Sequence, residues 1–90
     1  MSATPTMQAL AQLVPQGARV LDLGCGDGSF LQYLQRERGC TGYGVEIDDA
    51  NVLACVQRGI NVLQLNLDDG LAIFEDNSFD VVLQIDTLQH

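Results

Sequence analysis

The chain has 90 residues, of which 47% are hydrophobic and 18% charged, a balance that excludes a disordered or low-complexity polymer and suits a globular unit. Four arginines and no lysine face twelve carboxylates for a formal net charge of −8, a field that repels phosphate backbones and excludes nucleic acid as an expected partner. No apolar run approaches the roughly 18 residues a membrane span needs, no basic, apolar leader opens the chain, and three cysteines without a C-x-x-C pair exclude a disulfide framework or zinc site and point to a reducing cytoplasm.

Taken in chain order, Met7, Leu10, Leu13 and Val14 fall at helical spacing and stop at Pro15 and Gly17, which predicts a leading helix over 7–14. Arg19 to Leu23 is an apolar run entering a glycine cluster, a buried first strand. Ser29 followed by Gln32 reads as a capping box opening a helix with Phe30, Leu31 and Leu34 on one face, closed by Arg36, Arg38 and Gly39. Tyr43 to Ile47 reads as the second strand. Asp48 or Asp49 then caps a helix whose face is Val52, Leu53 and Val56 and whose stop is Arg58-Gly59. Ile60 to Leu65 is the third strand, Asp69-Gly70-Leu71-Ala72 a turn with at most one helical turn, and Phe79 to Ile85 the fourth strand. Strands separated by helices of this length imply crossover connections and a doubly wound, mainly parallel α/β sheet.

In such a sheet, ligands bind beyond the carboxyl ends of the strands, near the point where strand order reverses. Each strand delivers polar residues to that edge: Asp22 to Gly28 after the first, Glu46 to Asp48 after the second, Asn66 to Asp69 after the third and Asp86 after the fourth. Carboxylates gathered on one edge repel one another unless they meet donors or cations, so the pattern suits a ligand rich in hydroxyls and amines. In the dinucleotide fingerprint G-x-G-x-x-G the third glycine would stand where this chain has Ser29, which disfavours a nicotinamide-dependent oxidoreductase. Glu46 lies about 20 residues beyond the glycine loop, where an acid can accept hydrogen bonds from ribose hydroxyls. Asp22 has two readings, a buried acid that holds the loop or a direct ligand contact. Cys25 occupies a loop position that needs a small residue, Cys40 and Cys55 suit core or neutral surface, and Asp68-Asp69 and Glu75-Asp76 read as solvated loop charge.

The run Asp22-Leu23-Gly24-Cys25-Gly26-Asp27-Gly28 resembles motif I of the class I S-adenosylmethionine-dependent methyltransferases. Together with Gly42 to Asp48, Asn51 to Gly59 and Asn66 to Leu71, it resembles the MetW family of methionine biosynthesis proteins, over nearly the whole chain from Val14 to Gln89. The resemblance implies a Rossmann-like fold of which residues 1–90 are the N-terminal part of a single domain, truncated after the fourth strand. It implies S-adenosylmethionine as cofactor, held by Asp22, Gly24, Cys25, Gly26, Glu46, Ile47, Asn66, Leu67 and Asp68. The loop would wrap the amino-acid end, Glu46 would take the ribose hydroxyls, Ile47 and Asp48 would flank the adenine, and one of Asn66, Leu67 and Asp68 would meet it. It further implies a homoserine O-acyltransferase as partner. Catalytic residues are expected beyond position 90, with no metal; Asp86 and His90 stand on the substrate side and support no catalytic role. Two functions stay open: methyl transfer to a small molecule, and a regulatory partner that keeps the nucleotide pocket.

Overall fold

The structure, a computed structural model, describes residues 4–76 and 79–84. Among the described residues eight elements alternate as the sequence predicts, with one addition: α1 (Pro5–Ala11), β1 (Arg19–Leu23), α2 (Ser29–Arg38), β2 (Thr41–Val45), α3 (Asp49–Gln57), β3 (Val62–Leu63), α4 (Leu67–Asp76) and β4 (Val81–Leu83). The four strands form one parallel sheet in the order β3-β2-β1-β4. Strand order therefore reverses between β1 and β4, and the carboxyl ends of all four strands share one edge.

Why β1 is central follows from its composition: Val20, Leu21, Asp22 and Leu23 are all buried, and successive side chains point to opposite faces. Val20 joins the larger core with Met7 and Ala11 of α1, Phe30, Leu31 and Leu34 of α2, and Cys55 of α3. Leu21 and Leu23 join the other face with Val45, beside Leu65, Phe79 and Val82. The start of β1 is tied to β4, because Asp80 N–H donates to the Arg19 carbonyl (2.8 Å) while Arg19 N–H donates to the Asp80 carboxylate (2.8 Å).

Several local expectations are corrected. Thr4 accepts from Met7 N–H (3.1 Å) and Pro5 has its φ pre-set for the first turn, so α1 starts and ends earlier than 7–14. The capping box at Ser29 and Gln32 does not form. Gly28 is the N-cap in a left-handed conformation, Asp27 accepts from Ser29 N–H (2.9 Å), and Gln32 turns to Arg58. The second strand is 41–45 rather than 43–47, because its last pairing is Val45 with Leu23 and Glu46 turns to the glycine loop. The third strand shrinks from 60–65 to two residues, paired only at Gly44 with Val62 and Val45 with Leu63. Asp48, of the two candidate caps, accepts from Asn51 N–H (3.0 Å). The expected face of α3 is wrong: Leu53 and Val56 are more than half exposed and Cys55 is buried, since the small thiol is what fits against Gly28. The fourth strand is 81–83. Its expected end at Ile85, with Asp86 and His90, lies outside the described residues.

The largest correction is α4. The segment expected to be a turn is a ten-residue helix that carries Asp68, Asp69 and Glu75. Gly70 suggested a turn, yet it serves close packing: a Cβ there would stand 2.9 Å from Leu23 Cδ2 and 3.1 Å from Val45 Cγ1. The missing side chain lets α4 lie directly on the second face of the sheet. Replacing Gly70 by Leu opposes two effects, a helix-propensity gain of up to about 1 kcal/mol and an overpacking cost of about 1–3 kcal/mol. Gly70→Leu is expected to lower unfolding stability in urea titration; equal or greater stability would contradict the close packing of α4.

Candidate functional site

A cleft of about 270 Å³ opens at the carboxyl edge of the sheet. Leu23 and Gly24 bring β1 to it, and Val45, Glu46 and Ile47 bring β2. Leu65, Asn66 and Leu67 close one side and Gln84 the other. The walls are therefore mostly apolar with a few convergent polar groups, the usual make-up of a small-molecule site. Of the nine residues expected to bind a ligand, five line this cleft: Gly24, Glu46, Ile47, Asn66 and Leu67.

Glu46 is the polar centre. Its Oε1 accepts from Gly26 N–H (2.8 Å) and its Oε2 from Asp48 N–H (3.0 Å), so one carboxylate ties the glycine loop to the end of β2. An ionised carboxylate offers about four acceptor positions, and these two amides use half of them. The loop is held from its other side as well: Gly24 N–H (2.7 Å) and Cys25 N–H (3.0 Å) both donate to the Val45 carbonyl, and Gly28 N–H donates to the Cys25 carbonyl (3.1 Å). Gly24, Gly26 and Gly28 all have positive φ (74°, 59° and 83°), a backbone path that side-chain-bearing residues rarely follow.

Four expected residues do not line the cleft. Gly26 is part of the loop, and its amide is spent on Glu46. Asp22 is buried at the end of β1, near enough to Cys25 and Cys55 for its charge to bear on both thiols. Cys25 turns its Sγ into the core, 3.6 Å from Cys55 Sγ, while Cys55 Sγ donates to the Gly26 carbonyl (3.3 Å). Asp68 is exposed on the first turn of α4, where a carboxylate is favoured by the amide dipoles. Asn66 accepts from Asp69 N–H (2.8 Å) through its side chain and from Gly70 N–H (3.0 Å) through its carbonyl, so it caps α4 as well as facing the cleft. Leu23, Val45, Leu65 and Gln84 were missed as lining residues. The rule that ligands meet the carboxyl ends of strands could have found them, because each is the last residue of its strand or lies just beyond it.

Asp27, inside the loop, accepts from Ser29 N–H and lies 3.4 Å from Arg58 Nη2. Partial burial pushes its carboxyl up, but the Ser29 amide and the Arg58 guanidinium outweigh this and hold it below the ordinary range. A folded-state value below the unfolded one means that this contribution is present above about pH 4 and is lost as the pH falls through the folded value. Among the described residues no group of three or more His, Cys, Asp or Glu side chains could hold a metal ion, and no helix is long and apolar enough to cross a membrane.

A parallel sheet with this strand order, a glycine loop after the first strand and an acid after the second define the Rossmann-like fold of the class I methyltransferases. Solved structures agree. The chain superposes on an S-adenosylmethionine-dependent methyltransferase from Archaeoglobus fulgidus with a TM-score of 0.67 and 31% identity, over 86% of this chain and 35% of that one. It matches an RNA methyltransferase from Salinibacter ruber in complex with S-adenosylhomocysteine with a TM-score of 0.73 and 23% identity, over 93% and 59%. The chain belongs to the MetW family, methionine biosynthesis protein MetW, whose family model matches residues 4–90. It is 37% identical over 90 residues to the bifunctional methionine biosynthesis protein MetXA/MetW of Rhodopirellula baltica, covering 91% of this chain and 14% of that protein. The chain thus spans a small part of that relative and about a third to three fifths of these two structures.

Burial comes first in raising the Cys25 thiol well above its ordinary range, with the Cys55 thiol and the charges of Asp22 and Glu46 adding to it; burial does the same for Cys55. Burial disfavours the reactive thiolate and keeps reagents from the sulfur. Alkylation by iodoacetamide near pH 8, followed by mass spectrometry of the peptides, is expected to be at least about tenfold slower at Cys25 in the folded protein than in denaturant. Equal rates would contradict the packing of this thiol beneath the loop.

Proposed function

We propose that the cleft is an S-adenosylmethionine site, and that the protein acts in methionine biosynthesis through a methyltransferase-type domain beside a homoserine O-acyltransferase. The observation that carries this reading is the position of Glu46, oriented by two backbone amides with acceptor capacity left for a pair of ribose hydroxyls. Ile47, Leu65 and Leu67 would hold the adenine, with Asn66 at its polar edge, and the loop from Gly24 to Gly28 would meet the amino-acid end. Asp22, Cys25 and Gly26 support the loop from beneath and behind, and Asp68 belongs to the first turn of α4 beside the adenine side. The cofactor supplies an activated methyl group, while these residues bind and orient it, and such positioning is the larger part of catalysis for an in-line displacement.

The partnership is supported by the Rhodopirellula relative, whose name joins MetXA and MetW in one bifunctional protein. That observation also favours a second reading, in which the pocket serves regulation of the partner and no methyl is transferred. The net charge of −8 speaks against a nucleic-acid substrate, and three free cysteines suit a reducing cytoplasm.

Charge-assisted hydrogen bonds contribute about 1.5–3 kcal/mol each, and about 1.4 kcal/mol is tenfold in affinity. Glu46→Ala is therefore expected to weaken S-adenosylhomocysteine binding at least about tenfold by calorimetry. Because Glu46 also holds Gly26, the variant is expected to lose stability too. Undiminished affinity in the folded variant would remove Glu46 from the site.

A further inference from the structure

We propose that Arg58 is a positioning residue that sets the glycine loop for the amino-acid end of the ligand, an inference that rests on the cofactor reading above. Arg58 stands at the C-terminal end of α3, away from the cleft lining, yet its side chain reaches the loop. Nη1 donates to Gln32 Oε1 (3.0 Å), Nη2 lies 3.4 Å from Asp27 Oδ2, and the Arg58 carbonyl accepts from Gln32 Nε2 (3.3 Å). The arginine–glutamine contact is thus reciprocal, and it joins α3 to the first turn of α2. Asp27, the residue between Gly26 and Gly28, is held twice: Oδ1 by Ser29 N–H and Oδ2 by the guanidinium.

The physical need for such a brace lies in the loop itself. Three glycines within five residues leave it a large conformational freedom to lose when it orders on a ligand. Glu46 restrains the loop at Gly26 from the β2 side, and Arg58 restrains it at Asp27 from the α3 side. The two restraints act on adjacent residues from two different elements, which limits the path of the backbone between them. A planar guanidinium, with donors diverging to an amide oxygen and a carboxylate, suits this double contact in a way a lysine ammonium does not. The helix end does not depend on the side chain, since the Arg58 backbone N–H makes the capping contacts to Ala54, Cys55 and Val56.

Only the amino-acid end of the ligand meets the loop, so its two halves respond differently. Binding of S-adenosylhomocysteine, which carries that end, and of 5′-methylthioadenosine, which lacks it, is to be compared for the wild-type protein, Arg58→Ala, Arg58→Lys and Asp27→Asn, with thermal melting to establish folding. The expected result is a loss of roughly three- to tenfold for S-adenosylhomocysteine in Arg58→Ala, a change under about twofold for 5′-methylthioadenosine, and partial recovery in Arg58→Lys. Asp27→Asn, which cuts the ion pair but leaves the arginine–glutamine contact, is expected to show the same split to a smaller degree and keeps the test open if Arg58→Ala fails to fold. Equal losses for both ligands, or no loss for either, would overturn the positioning role while leaving the cofactor site standing. A wild-type protein that binds neither ligand overturns the cofactor reading, and the positioning role with it.

Discussion

One carboxylate, that of Glu46, joins the two features on which the site depends. The glycine loop has only the side chains of Cys25 and Asp27 with which to hold itself, and the end of β2 leaves the sheet after Val45. Glu46 bridges them by accepting from the amides of Gly26 and Asp48, at 2.8 Å and 3.0 Å. Around this bridge the other contacts follow in order. The Val45 carbonyl takes the amides of Gly24 and Cys25, Cys55 packs beneath the loop, and the next turn of chain enters α3 capped by Asp48. A polar group that orients a loop while keeping acceptor capacity for a ligand couples folding to binding, since the same atoms serve both.

The two faces of the sheet are built to different purposes. On one, α1, α2 and α3 bury a continuous core around Val20, Phe30, Leu31 and Leu34. On the other, α4 rests through Gly70 on Leu23 and Val45, two residues that also line the cleft. The position of α4 therefore shapes the floor and side of the cleft as well as covering the sheet, and Asn66, which caps it, stands at the junction.

The α/β alternation, the parallel sheet and the residues of the loop were legible from the sequence because they rest on strong local signals. These were a buried apolar run at 19–23, singly placed glycines and an acid at the right distance. What failed were inferences that needed tertiary context. Gly70 read as a turn because glycine is usually a breaker, whereas here it admits a helix against the sheet. Leu53 and Val56 read as core because they are large and apolar, while the space beneath the loop admits only Cys55 on that side of α3. Ser29 and Gln32 matched a capping box, but Arg58, 26 residues beyond Gln32 in sequence, draws Gln32 away. At the cleft, the residues that belong to a recognisable motif were found, while Leu23, Val45, Leu65 and Gln84 were not, since only their position at the carboxyl ends of the strands marks them and no local motif does.

In the proposed reading, a nucleoside ligand with an amino-acid tail lies across the carboxyl edge of β1, β2 and β3. Two-dimensional amide NMR of the protein during titration with S-adenosylhomocysteine tests it most directly. Shifts confined to Gly24–Gly28, Glu46–Asp48 and Leu65–Leu67 are expected, with the Gly26 amide, already bonded to Glu46, among the most affected. Absence of shifts at saturating ligand, or shifts gathered on the exposed faces of α1 and α3, would contradict it.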